Sequence, residues 1–436
     1  MNTTQMTETT TSSTAFAAWL GWDWGDKEHS FHLFVPGASK TESGQLKHSA
    51  ETLHDWFKEL AARFGGRPVA LAVESNRGAL PHVLAQYPWL TIFPINPVTS
   101  ARYRKAFTPS GAKDDLPDAA VLLDLVRFHS DKLRPLVWEE ASTRQLAALV
   151  EARRDTVDRR TQTLNQLTAL LKSYYPQALE LTGEDLSAPM ALEFLRRWPE
   201  LISLKSARPA TLRSFYYRNN VRRPELVDQR LEKIKAMVAL TTEDAVLSVA
   251  QLQLKLLVEL IATYNKHIKE FGTQIATVFA THQDRAVFAD LPGAGKVLAP
   301  RLAVAFGTDR LRYPDAASFQ KYSGIAPVRE KSGGQLWTHW RWQAPVFVRQ
   351  SLIEWAGQTV VWCSWAKHYY QRMKAKGKKH HVILRALAFK WVRILWKCWK
   401  TNTPYNDALY LKSLEKRKSP NLPPAEKPSL LTLQKI

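Results

Sequence analysis

Four acids in the first 120 residues and one serine far downstream could act on a phosphodiester. Asp115 and Asp118 lie three apart in a stretch that opens a helix, so both carboxylates can share one face. Two acids so placed repel each other unless a cation sits between them, and oxygen ligands suit a hard divalent ion, magnesium or manganese. Asp23 and Glu74 each follow an apolar run of buried-strand type, at the carboxyl ends where open α/β sheets place their sites. With those strands adjacent, the four carboxylates can converge on one or two ions. Such a cluster activates a nucleophile or stabilises a leaving oxygen. Singly, each acid reads better as a solvated turn residue or as a helix-dipole partner; the ordered set of four is more specific.

The elements around these acids follow from patterning. Residues 17–23 read as a buried strand, the turn at Gly25-Asp26-Lys27 leads to a second strand at 29–35, and the two suit a hairpin. Residues 47–64 carry helical spacing through Leu53, Trp56, Phe57 and Leu60. Val69–Val73 is a continuous apolar strand, residues 79–86 are helix-compatible, and 91–95 form another short strand. Asp114 or Asp115 can cap the next helix, with Pro117 in its first turn. Strands mixed with helices in this order predict an α/β layer around a central sheet.

The chain has 436 residues and a formal net charge of +21, which points to a polyanionic partner, most simply nucleic acid. No apolar run is expected to span a membrane. Two cysteines, Cys363 and Cys398, exclude a disulfide framework and a cysteine-rich zinc site, and suit a reduced, cytoplasmic protein. Residues 1–14 are polar and read as a disordered leader. The expected organisation is an α/β domain over 15–140, a helical coiled-coil region over 141–285, a mostly helical C-terminal domain over 286–405, and a basic tail over 406–436. In the middle region, 142–175 and 244–280 carry long apolar stripes that suit core or an antiparallel coiled-coil pair used for dimerisation. The arginine-rich segment 177–241 between them reads as an insertion that either contacts nucleic acid or carries a solvated face.

In the C-terminal half, Pro292-Gly-Ala-Gly-Lys296 resembles a helix-hairpin-helix turn, where Gly293 and Gly295 let backbone N–H groups approach a phosphate. A plain tight turn fits as well. The Gly-Lys-Ser/Thr ending of a nucleotide-binding loop is missing. From Trp355 to Asn406 there are eleven Lys or Arg and no acid, with Lys374, Lys376, Lys378 and Lys379 at the centre. Nine of the sixteen tryptophans fall between Trp337 and Trp399. Basic residues among aromatics suit phosphate contact and base stacking. Trp391, Leu395 and Trp399 instead share one helix face and read as core.

The motifs Gly21-Trp-Asp-Trp-Gly25, Val73-Glu-Ser-Asn-Arg77 and Lys113-Asp-Asp-Leu-Pro-Asp-Ala119 together resemble the N-terminal motifs of the DEDD insertion-sequence transposases of the IS-one-ten family. Downstream, Pro-Gly-x-Gly at 292–295, Tyr322-x-Gly324-x-x-Pro327, Ser332-Gly333 and Arg349 before an apolar helix follow the same family's order. Asp114 departs from a usual threonine, and Pro117 stands between the last two acids. The resemblance covers roughly 16–175 and 243–400. It implies a RuvC-like, ribonuclease-H-type N-terminal domain, with Asp23, Glu74, Asp115 and Asp118 as metal-binding acids and Ser332 as nucleophile. A serine attacking a DNA phosphodiester gives a covalent phosphoserine link, and Lys331, Arg341 and Arg349 can neutralise charge in the transition state. Implied partners are donor and target DNA, a structured bridge RNA that guides the enzyme, and further copies of the chain, a homodimer assembling to a homotetramer on DNA. The alternatives are a metal-dependent nuclease of the junction-resolving kind without a serine nucleophile, and a non-catalytic nucleic-acid scaffold.

Overall fold

A computed structural model of the 436-residue chain describes residues 16–74, 83–107 and 115–424, with only the backbone described at 115–117. The leader 1–14, the first half of the helix expected over 79–86, the cap at Asp114 and the end of the tail lie outside the described residues. The chain divides into two compact units, Met1–Trp138 and Glu139–Ile436.

The first unit is built on a five-stranded mixed sheet. Its strands are β1 (Ala18–Asp23), β2 (Glu28–Phe34), β3 (Glu42–Lys47), β4 (Val69–Val73) and β5 (Leu90–Pro94), in the order β3-β2-β1-β4-β5. β1 and β2 form the expected antiparallel hairpin, whereas β1–β4 and β4–β5 are parallel. β4 is buried along its whole length because helices cover both faces, which explains its unbroken apolar run. Val69, Leu71 and Val73 join the core on one side with Leu53, Phe57 and Leu60 of α1 (Ala50–Phe64). Ala70 and Ala72 face the other side, where Leu122, Leu125 and Val126 of a later helix pack closely on the small side chains. β3 and the helix α2 (Pro97–Phe107) are not legible in the patterning: β3 is a mostly exposed edge strand, and α2 buries only Ser100.

The acid-opened helix is α3 (Asp115–His129), beginning at Asp115 with Pro117 in its first turn. It lies against β1 at Gly21, where an added Cβ would stand 2.1 Å from the Ala119 carbonyl oxygen and 2.3 Å from the Leu123 nitrogen. Only glycine admits so close a crossing.

The second unit opens with α4 (Ala141–Tyr174), leads through α5 (Gln177–Leu181), α6 (Pro189–Arg197), α7 (Leu201–Lys205), α8 (Pro209–Arg218) and α9 (Pro224–Ala236), and returns along α10 (Asp244–Ala280). The long helices pair with each other within the chain. Leu146 and Val150 share a core with Ile275 and Phe279, while Leu167 and Leu171 share another with Leu254 and Val258, so the pair is antiparallel. The five short helices close the second core at the far end, with Phe194, Trp198, Phe215 and Tyr216 inside it.

α10 corrects the expectation about membrane-length runs. Its most apolar 18-residue window has a mean hydropathy of 1.7, long and apolar enough by composition to cross a membrane. Gln251, Gln253 and Lys255 lower its hydropathy too little against the surrounding leucines and valines. Leu247, Ala250, Leu254, Val258 and Ile261 nevertheless form a buried stripe against α4 and the short helices.

The remaining chain forms α11 (Arg285–Phe288), α12 (Gly295–Phe306), α13 (Ala316–Tyr322), the hairpin β6 (Val328–Ser332) and β7 (Gln335–His339), α14 (Val346–Trp362), α15 (Ser364–Ala375), α16 (His380–Lys400) and α17 (Asp407–Lys416). Trp355, Trp365, Trp391 and Trp399 are fully buried, and each indole N–H is satisfied: by the Pro292 carbonyl, the Tyr405 hydroxyl, Thr359 Oγ1 and the Gly307 carbonyl. These four are core residues and offer no stacking face. The basic tail expected from 406 is helical over Asp407–Lys416, capped by Asn406 and anchored by buried Leu414.

Candidate active site

The acid site is assembled by strand register. Trp22 pairs with Val73 across parallel strands, so Asp23 and Glu74 leave β1 and β4 side by side at the same end of the sheet. The crossing of α3 at Gly21 and Ala119 brings Asp118 to the same neighbourhood, where its side chain is buried at 6 % exposure. Asp115 heads the same helix, one turn earlier.

Two of these acids are held by α2, a helix that sequence patterning does not reveal. Ser100 and Arg104 are four apart and share one face of α2. The Ser100 hydroxyl donates to Glu74 Oε1 at 2.5 Å and also to the Pro97 carbonyl, while the Arg104 guanidinium forms a close ion pair with Asp118. Both members of the pair are largely buried, and the Arg104 Nε has no partner among the described residues. A serine and an arginine one turn apart, between a strand and an acid-opened helix, are the available signal.

The donor set is all carboxylate oxygen, which fits a hard divalent cation. Its placement at one end of the sheet fits as well. Among the described residues no three His, Cys, Asp or Glu side chains stand close enough to hold one ion, and Asp118 is paired with Arg104. The acids that would hold a cation, were they drawn together, are Asp23, Glu74 and Asp118, with Asp115 on the same helix.

Beneath the acids, His29 is fully buried in an aromatic box: Trp24 stacks on it at 4.1 Å, and His48 Nδ1 lies 3.0 Å from its Nε2. Burial, helped by the charge of His48, lowers its pKa from 6.5 to about 4. His29 is therefore neutral, and the ring pair shares one hydrogen bond.

Ser332 is in the second unit, at the tip of the β6–β7 hairpin. It pairs with Gln335 across a two-residue turn in which Gly333 and Gly334 have φ of 56° and 83°. A turn with both central residues left-handed is the natural closure of a twisted hairpin and demands glycine there. The side chain of Ser332 is exposed, as is Lys331 beside it. Glu330 braces the hairpin from within, accepting from the Trp337 indole at 3.0 Å and bonding His339 at 2.8 Å, which raises the His339 pKa. Following the hairpin, Trp340 is covered by Arg385 with its guanidinium 3.0 Å from the ring centre, and Arg349 lies 5.9 Å from the same ring. Arg349 also donates to the Arg341 carbonyl. Burial and the neighbouring Arg349 lower the Arg385 pKa to about 10. Arg385 is a second residue that composition alone does not single out.

The other expected nucleic-acid residues are separated from one another. Gly293, in the turn before α12, and Gly295, the first residue of α12, both have positive φ. A Cβ at Gly293 would stand 2.9 Å from Gln358 and Trp362 of α14, so packing accounts for that glycine, whereas Gly295 faces open space. Lys374, Lys376, Lys378 and Lys379 are exposed where α15 turns into α16, and none forms an ion pair among the described residues.

Comparison with known proteins decides the family. Residues 20–176 match the DEDD transposase family model of IS110, and residues 285–371 match the transposase family IS116/IS110/IS902. The chain belongs to this transposase family. The IS117 mini-circle protein of Streptomyces coelicolor is 26% identical over 411 residues, covering 90% of this chain and 96% of its own. The 43.6 kDa protein of insertion element IS110 from the same organism is 25% identical over 395 residues, with 89% and 96% covered. The 42 kDa protein of IS900 from Mycobacterium paratuberculosis is 24% identical over 406 residues, with 89% and 97% covered. The transposase acts on DNA, and its family suggests a divalent metal. Both matched segments contain the residues described above: Asp23, Glu74, Asp115 and Asp118 in the first, Ser332, Arg341 and Arg349 in the second.

Proposed function

We propose that this insertion-sequence transposase is a site-specific recombinase with a RuvC-like acid domain, and that it cuts and rejoins DNA through Ser332. The observation that carries the reading is the position of Ser332: exposed, at the tip of a two-glycine turn, with Lys331 beside it and Arg341 and Arg349 following the hairpin.

In the step, Ser332 Oγ attacks the scissile phosphorus. The Oγ–P bond forms as one sugar P–O bond breaks, the hydroxyl proton passes to a carboxylate, and the departing sugar oxygen is protonated. Rejoining runs the same exchange in reverse with another sugar hydroxyl, so the phosphodiester bond energy is conserved in the phosphoserine. Asp23, Glu74, Asp115 and Asp118 would hold magnesium or manganese, which when bound supplies positive charge for the phosphate oxygens. Lys331, Arg341 and Arg349 neutralise the charge that develops on the pentavalent phosphate. Exposed Trp342 and the Lys374–Lys379 run bind the flanking strands. The acids and the serine serve one phosphate from different protomers of a homotetramer, and a bridge RNA pairs with donor and target DNA to choose the site. The work takes place in the cytoplasm.

The test is a denaturing gel of the transposase incubated with end-labelled donor and target DNA. Wild type gives a DNA-linked protein band; Ser332→Ala gives none while still binding DNA. Cleavage that persists in Ser332→Ala would transfer the chemistry to a water-using, metal-dependent nuclease. Recombination that persists in Asp23→Asn with Glu74→Gln would make the acids structural and remove them from the chemistry. Sequencing the RNA that co-purifies with the protein should return one discrete structured species.

A further inference from the structure

We propose that Arg153, Arg160 and Arg301 form a binding site for a backbone phosphate of a nucleic-acid strand, in the crease where α4 packs on α12 and α14. This goes beyond the reading of the acids and Ser332, and uses none of those residues.

The argument is one of charge left without a counter-charge. Arg301 of α12 is 5 % exposed; its Nε donates to Ser351 Oγ at 3.1 Å, its Nη1 lies 2.6 Å from Glu354 Oε2, and its Nη2 is buried with no partner. Arg154 takes the other oxygen of the same Glu354 at 2.9 Å and also pairs with Asp158. Arg160 donates to the neutral Asn265 at 2.8 Å, and its Nε too is buried with no partner. Arg153 is half-buried and has no carboxylate partner among the described residues. Four guanidinium groups therefore share two carboxylates, and both carboxylates are already bonded.

Such a cluster is costly as it stands. A buried charge needs a partner, and a buried N–H donor without an acceptor costs free energy comparable to a lost hydrogen bond. The environment of Arg153 carries the same message: burial and then Arg301, Arg160 and Arg154 all depress its pKa, and no acid opposes them. An anion with several acceptor oxygens answers both defects at once, by accepting from Arg301 Nη2 and Arg160 Nε and by neutralising Arg153. Planar guanidinium forks suit a phosphate for this purpose. Arg153 and Arg160 are two turns apart on one face of α4, a spacing of about 10 Å that admits a strand running along the crease.

The test uses the full chain. Because Arg301 is a core residue whose loss can unfold the unit, the variants are Arg153→Gln and Arg160→Gln, with circular dichroism verifying the fold. Inorganic pyrophosphate, compared with chloride at equal ionic strength, should raise the thermal midpoint of wild type and do so less in either variant. Affinities for a DNA duplex and for an RNA hairpin are then measured against salt. For the strand that occupies the site, the log–log slope should fall by about 0.7–0.9 for each phosphate that the variant no longer neutralises. A fall for DNA alone or for RNA alone assigns the source. A wild-type midpoint that pyrophosphate does not move overturns the site. A pyrophosphate shift that disappears in the variants with both slopes unchanged overturns the nucleic-acid assignment and leaves a site for free phosphate. Because no outcome reads DNA cleavage, failure here leaves the Ser332 reading untouched.

Discussion

Arg104 and Ser100 hold Asp118 and Glu74, two of the four carboxylates proposed to bind metal. Arg104→Gln leaves the Asp118 carboxylate buried without its positive partner, so the first unit should lose about 3 kcal/mol, read as a lower urea midpoint. Magnesium should then restore more stability to the variant than it adds to wild type, because Asp118 no longer has a competing partner. A second expectation concerns His29. Its pKa in the fold, about 4, lies below its ordinary 6.5, so between these values the unfolded chain binds a proton that the folded chain refuses. The contribution is fully present above pH 6.5 and is lost as pH falls toward 4. The thermal midpoint of wild type should drop across that window, and His29→Leu should flatten the drop. Asp23 and Glu74 are legible because each closes an apolar strand. Arg104 is not, because a lone arginine on a weakly patterned helix acquires meaning only when the fold sets it beside Asp118.

Among the elements, α3 is the one that sets the acid geometry, and it does so through a glycine. Gly21→Ala would drive a methyl group into the backbone of Ala119 and Leu123, so α3 must lift from β1 and carry Asp118 with it. The expected result is a loss of about 1–3 kcal/mol in chemical denaturation and a larger loss of metal-dependent cleavage. The long helices α4 and α10 are legible to within a residue, since their stripes run over many turns and little else competes. β3, α2 and α17 escape notice for the opposite reason. Each is short and mostly exposed, and its sequence satisfies caps and edges with hardly any core-facing residues to form a periodic signal. The tryptophans mark a further limit: helix spacing identifies Trp391 and Trp399 as core, but composition groups the other seven with the lysines, and only tertiary packing decides that Trp355 and Trp365 are buried while Trp342 is exposed.

Over the molecule as a whole, the charge of +21 makes salt the simplest probe of function. Replacing Lys374, Lys376, Lys378 and Lys379 with Gln should weaken DNA binding with little dependence on sequence. It should also reduce the log–log salt slope by up to about 3.6 if all four meet phosphates. Stability should hardly change, since the four lysines are exposed and unpaired among the described residues. The antiparallel course of α4 and α10 has one more outcome. The chain leaves and re-enters the C-terminal core at neighbouring points, with Thr143 bonded to His282, so two rods about 50 Å long form a boom that carries the five-helix cap along its far part. Removing one heptad from each rod would draw the cap inward by about 10 Å while turning it only about 20°. The boom can therefore serve as an adjustable ruler: whatever the cap touches could be re-spaced in steps without disturbing either end.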